Sequence, residues 1–299
     1  MGGRKIQHVT VIGVGLLGGS AALAIKAYDP DVRVAGVGRR QSSLDSALDV
    51  GAIDTAHLDA AEAAGRSDLV ILATPVGAFE QYLRAIAPVL RKVGKHSGAL
   101  VTDVGSTKSE TVRLAERILG RGGAFVGSHP MAGSEQKGVS FARADLFAGA
   151  TCIITPTRHS PASATSRIEG FWKMLGMRTV RMSPSAHDRA VARVSHLPHV
   201  LAGLLMLLPG KGDLDVSATG FRDATRLAGG DPEMWRDILL TNRKAVLSAL
   251  DAFATDMVEL RELVNRGDGP AIEKFLSAAK KRRDSTIARV IVDRRQAAE

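Results

Sequence analysis

HVTVIGVGLLGGS, residues 8–20, is the stretch from which the fold can be read. His8 to Gly13 is apolar and β-branched, the composition of a buried parallel strand. It runs into Gly13-Val14-Gly15-Leu16-Leu17-Gly18, and the alanine-rich segment Ala21–Ala27 behind it reads as helix. G-x-G-x-x-G between a strand and a helix is the fingerprint of a dinucleotide-binding turn. Gly13 allows the tight turn, Gly15 lets a pyrophosphate approach the backbone, and Gly18 lets helix and strand pack closely. The phosphates would rest on the helix N-terminus, at Leu16 and Leu17. The plainer alternative is a structural turn.

The next strand, Val32–Val37, ends in Gly38-Arg39-Arg40-Gln41-Ser42-Ser43. An acidic residue at this place usually holds the ribose hydroxyls of NAD. Here Arg39, Arg40 and Ser42 suit a 2′-phosphate, which favours NADP, with NAD as the other candidate. The alternative is that both arginines are surface charge. Two more strands are expected at 67–76 and 99–106, with helices at 79–90 and 107–119. Their ends put Thr74, Pro75 and Asp103 at the cofactor cleft, Asp103 being otherwise a turn or cap-neighbour residue. Ser106 is an active-site candidate or a helix N-cap.

Ala124–Val126 reads as a short strand leading into VGSHPMAGSEQKG, residues 126–138. It delivers His129 to a strand's carboxyl end, where an α/β protein keeps its chemistry. Strands at 150–155 and 177–182 flank a helix at 163–175, and the alternation implies a doubly wound parallel sheet over residues 1–183. From 184 to 299 the pattern is helical. His187–Leu208 is one apolar run that Pro198 should kink or break. His196 and His199 share a face if the kink allows, but no zinc motif accompanies them, so no metal is expected. Arg226 lies in an apolar setting, either paired with Asp223 or kept to grip a carboxylate. Asp231-Pro232 starts another helix. So apolar an all-helical segment suits a homodimer.

The chain has 299 residues, a net charge of +9 and a sequence pI near 10. Lys and Arg are dispersed except at Lys280–Arg283, and aromatics are few, which favours anionic small molecules over nucleic acid. Cys152 is the only cysteine, as suits a reducing cytoplasm. Arg4 and Lys5 ahead of Val9–Ile25 superficially resemble a signal peptide, but the glycine offsets fit strand-turn-helix better. No segment reads as long and apolar enough to span a bilayer.

GVGLLGGS, VILATPV, VTDVGSTK, GSHPMAGSE, SHLPH and GFRDATRLAGGDPEMW occur in this order across nearly the whole chain. Together they resemble the prephenate/arogenate dehydrogenase family of tyrosine biosynthesis. The resemblance implies oxidative decarboxylation of prephenate or arogenate with hydride transfer to NAD(P). It implies a catalytic His129, a supporting Ser106, a second active-site histidine in His196 and a substrate-binding Arg226. It also implies an interlocked dimer with Asp223 and Trp235 near the partner's cleft. Gly38-Arg39-Arg40 departs from the acidic residue of many NAD-using members and supports NADP. Competing readings are another NADP-dependent dehydrogenase acting on a β-hydroxyacid, and a non-catalytic NADP-sensing protein.

Overall fold

The computed structural model describes residues 5–92, 99–122, 125–134 and 136–296; Arg4, Ala124 and Glu135 of the segments read above lie outside them. His8–Ile12 (β1) leads through the glycine turn into Leu16–Tyr28 (α1). Arg33–Val37 (β2), Gln41–Asp49 (α2), Thr55–His57 (β3), Ala60–Ala64 (α3), Leu69–Leu72 (β4), Phe79–Lys92 (α4), Leu100–Asp103 (β5) and Ser109–Leu119 (α5) follow. The five strands form one sheet in the order β3-β2-β1-β4-β5, with every pair parallel. Successive residues of β4 alternate between two cores. Leu69 and Ile71 join Val9, Ala21 and Ile25 on one side, while Val70 and Leu72 join Phe79, Leu83 and Ile86 on the other. The sheet is therefore covered on both faces, as its apolar strands require. The order in which strands are added reverses between β1 and β4, which opens a crevice at the ends of those two strands.

A second sheet is built from Gly127–Pro130 (β6), Thr151–Thr155 (β7) and, after Ala162–Met174 (α6), Arg178–Arg181 (β8). It departs from the all-parallel expectation, because β6 runs antiparallel to β7 and pairs His129 with Ile153. The strand read at 124–126 contributes a parallel bridge, Val101 to Phe125, and the paired strand begins at Gly127. The short elements α2, β3 and α3 carry no run long enough to be read from the sequence.

Helices Pro184–Val191 (α7), Leu197–Leu207 (α8), Thr219–Thr225 (α9), Pro232–Thr241 (α10), Arg243–Asn265 (α11) and Gly269–Gln296 (α12) complete the chain. Pro198 does not break the first run; a turn of π-helix, Ala192–His196, joins α7 to α8 and absorbs it. The continuous run Pro184–Leu207 thus has 24 residues and contains an 18-residue stretch of mean hydropathy 1.4, so by length and composition it could cross a bilayer, contrary to the sequence reading. Compactness divides the backbone between Arg243 and Lys244. Strands stop near 183, but the first unit extends to Arg243, and the intervening helices bond to the segment between β5 and α5. Asp188 accepts the Lys108 and Ser109 N–H groups, and Thr107 meets Thr241 at 2.9 Å.

Candidate active site

Three glycines shape the turn after β1, for different reasons. Gly13 has φ of +100°, and a Cβ there would lie 2.7 Å from the Ala73 carbonyl. At Gly18 a Cβ would lie 1.9 Å from the Gly13 carbonyl oxygen. The protein's own packing demands both. At Gly15 a Cβ would meet nothing within 4 Å, and φ of −84° is ordinary. Its smallness serves no internal contact and leaves space over the first turn of α1. Among the described residues no side chain caps that turn, so the N–H groups near Leu16 and Leu17 are open to a ligand. Thr74 Oγ1 is buried without a partner among the described residues, in the loop packed against Gly13 and beside exposed Pro75. Open N–H groups, an orphaned hydroxyl and a vacant Cβ position fit the pyrophosphate of a dinucleotide. Arg39 and Arg40 are exposed at the start of α2 with no acidic partner among the described residues, and Ser42 is exposed in its first turn.

Asp103 corrects the sequence reading. It does not face the cleft but is fully buried, as is Lys108. Lys108 Nζ donates to Asp103 and, at 2.9 Å, to the Ser128 carbonyl. Asp103 also accepts the N–H groups of Gly105 at 2.9 Å and Ser128 at 3.0 Å. The pair is a strut between the end of β5 and the start of β6, and it fixes the residue before His129. Ser106 is half-buried and caps nothing: Lys108 holds the N-cap position of α5. Its hydroxyl has no hydrogen bond among the described residues.

His129 projects from β6 with Nδ1 2.7 Å from His187 Nε2, and His187 Nδ1 lies 2.8 Å from Asp188 Oδ1. Burial, then the charges of His187, Lys108 and His196, hold the His129 imidazole well below its usual range, so it is neutral at pH 7. Burial also lowers His187, outweighing the Asp188 hydrogen bond. For Asp188, burial raises the carboxyl, but hydrogen bonds from His187, Ser109 and the α5 backbone bring it below its ordinary range. His196 is buried, and burial lowers it to about 4. Asn242 Nδ2 lies 2.9 Å from the Asp188 carbonyl and 3.2 Å from His196 Nδ1.

Trp235 brings the helical residues together. His199 stacks on it at 3.5 Å and 10°, while His196 meets it edge-on at 5.9 Å. A Cβ at Gly230 would strike Trp235 Nε1 at 2.4 Å, so glycine is required there. Arg226 opens a 3₁₀ turn that packs on α8; it and Asp223 are exposed and form no ion pair with each other. The pairing of Arg226 with Asp223 read as one alternative is therefore not formed. His187, Asp188, Lys108 and Asn242 are absent from the sequence-based set. A lone Lys and a His-Asp pair at a helix start are residues usually found in contact with water, and here packing of α7 against β6 and the start of α5 buries them.

Residues 21–181 match the family described as "Prephenate dehydrogenase, nucleotide-binding domain", and 183–278 match "Prephenate dehydrogenase, dimerization domain". The first match begins beyond the glycine turn, so the nucleotide cradle stands on its own geometry. The cyclohexadienyl dehydrogenase of Zymomonas mobilis is 36 % identical over 93 % of this chain and 95 % of that protein. The prephenate dehydrogenase of Bacillus subtilis is 35 % identical over 92 % of this chain and 75 % of its own length. The crystal structure of Aquifex aeolicus prephenate dehydrogenase with hydroxyphenyl propionate and NAD+ superposes with a TM-score of 0.88 at 32 % identity, covering 95 % of this chain and 100 % of that one. With likeness spanning both halves of the sequence and a cradle built for a dinucleotide, the chain belongs to the prephenate dehydrogenase family of oxidoreductases.

Proposed function

We propose that the protein oxidatively decarboxylates prephenate to 4-hydroxyphenylpyruvate, or its amino counterpart arogenate to tyrosine, using NADP in preference to NAD. The supporting observation is a neutral His129 on β6, in the same unit as a cradle shaped for pyrophosphate. When bound, the nicotinamide supplies the hydride acceptor. His129 accepts the hydrogen bond of the substrate's 4-hydroxyl and takes its proton as the carbon gives up hydride. The ring carboxylate then leaves as CO2, driven by aromatisation. The uncommitted Ser106 hydroxyl orients the reacting group. Arg226, which has no acidic partner among the described residues, grips a substrate carboxylate, and His196 holds the side-chain end. Asp223 and Trp235 complete the substrate site beside a partner subunit.

Arg39, Arg40 and Ser42 support NADP, since they offer two exposed cations, unpaired among the described residues, and a hydroxyl to a 2′-phosphate. A homodimer is supported by Leu207 and Leu208, which stand 83 % and 80 % exposed, and by the dimerization-domain match. We read the 183/184 boundary as the division between dinucleotide-binding and helical substrate/dimerisation domains. We also read the protein as cytoplasmic, with neither nucleic acid nor membrane as a partner.

The test is one spectrophotometric assay crossing prephenate and arogenate with NAD and NADP, on the wild type and His129→Asn. The variant should bind cofactor normally and lose about 10²–10⁴-fold in turnover. Unchanged turnover would remove His129 from the chemistry.

A further inference from the structure

A row of three groups runs inward from His129, and its hydrogens can be assigned by inventory. Asp188 accepts the N–H of Lys108 on Oδ1 and that of Ser109 on Oδ2, both at 2.8 Å. A carboxylate with donors on both oxygens is ionised and can only accept. The His187 nitrogen facing it at 2.8 Å, Nδ1, must therefore carry a proton. Neutral imidazole has one N–H, so His187 Nε2 is a bare acceptor. Two bare nitrogens would not sit 2.7 Å apart, so the proton in that contact belongs to His129 Nδ1. The remaining His129 nitrogen, Nε2, is left with its lone pair free.

We propose that His187 and Asp188 are positioning residues that lock His129 as the Nδ1–H tautomer, so that Nε2 is the base presented to the substrate hydroxyl. The proposal rests on the reading of His129 as that base. A charged His187 would reverse the middle bond, place the His129 proton on Nε2 and offer the substrate a donor instead. Complete burial of His187 and the nearby ammonium of Lys108 oppose that charge. The row is held rigidly. Ser183 caps α7 at Ala186 N, Asn242 binds the Asp188 carbonyl, and the buried Asp103–Lys108 strut fixes the residue before His129.

The experiment has two arms. In the first, the protein labelled with ¹⁵N-histidine is examined by NMR without substrate or cofactor; His129 should carry its proton on Nδ1. A proton on Nε2 overturns the lock, whatever the enzyme turns over. In the second, His187→Leu removes the acceptor and His187→Gln returns a carbonyl acceptor. The leucine variant should lose about 10²-fold or more in kcat with substrate and cofactor KM within about twofold, a split that general loosening would not give. Glutamine should recover at least about tenfold of that loss. Full kcat in His187→Leu overturns the proposal. An Nδ1 proton together with full turnover in His129→Asn instead overturns the functional reading of His129.

Discussion

Gly15→Ala separates the nucleotide site from the fold. The added methyl would meet no protein atom within 4 Å, and the backbone at φ −84° and ψ −154° accepts alanine. Two small effects on stability oppose each other. Alanine is a poorer N-cap than glycine by about 0.5–1 kcal/mol, while a stiffer unfolded chain returns about 0.4–1 kcal/mol. The urea midpoint should therefore stay near that of the wild type. Cofactor affinity should not. The methyl would fill the space over the first turn of α1 and cost at least one N–H bond to phosphate. A bond to a charged group is worth about 1.5–3 kcal/mol, or roughly ten- to hundredfold in Kd. Gly18→Ala is the control, since its methyl would meet the Gly13 carbonyl oxygen at 1.9 Å. The helix-propensity gain of about 1 kcal/mol does not offset a backbone clash, so this variant should unfold at lower urea. Calorimetric titration with NADP and with NAD, beside urea curves, reads both effects. A Gly15→Ala protein that binds both dinucleotides as the wild type does would refute the pyrophosphate assignment.

Lys108→Met strands Asp103 in the core and should cost about 3–5 kcal/mol in urea unfolding; a loss below about 1 kcal/mol would mean the strut bears little. Folding lowers His129, His187 and His196, with burial the first cause in each, so below the ordinary histidine range the unfolded chain binds more protons. Stability from these groups is complete above pH about 6.5 and falls as pH drops. His196, lowered from 6.5 to about 4 among Asp188, His187 and His199, accounts for about 2 kcal/mol between pH 7 and 5. Urea midpoints at the two pH values should draw closer in His196→Gln. Arg226→Ala should raise substrate KM about tenfold or more with little change in kcat, and an unchanged KM would make Arg226 structural.

The parts legible in the sequence are those whose physics is local. The glycine offsets at 13, 15 and 18 report backbone requirements of one turn, and the structure separates them into two packing glycines and one open one. His129 is legible because a short apolar run carries it to a loop. Residues 55–57 are not, since Thr-Ala-His has neither length nor alternation. Asp103 misleads because a carboxylate after an apolar strand has the same signature whether it faces a cleft or a buried cation. Its partner, five residues on, is a lysine, a residue type rarely found inside. The His187–Asp188 pair fails for the same reason. Its meaning lies in β6 and the start of α5, both distant in sequence.

Pro198 shows how a local rule can hold while its consequence changes. Proline cannot donate to the preceding turn, so a kink or break is the natural expectation. The chain instead widens Ala192–His196 into a π turn, in which the Leu197 N–H reaches back to the Ala192 carbonyl. On an unbroken α-helix, positions 187 and 196 would point about half a turn apart. The wider turn takes roughly one more residue to close, which swings His196 back toward the side of His187. One side chain, Asn242, can then bond both the Asp188 carbonyl and His196 Nδ1. A residue that reads as a helix breaker thus permits the register that joins the His129–His187–Asp188 row to the histidine and tryptophan of the helical segment.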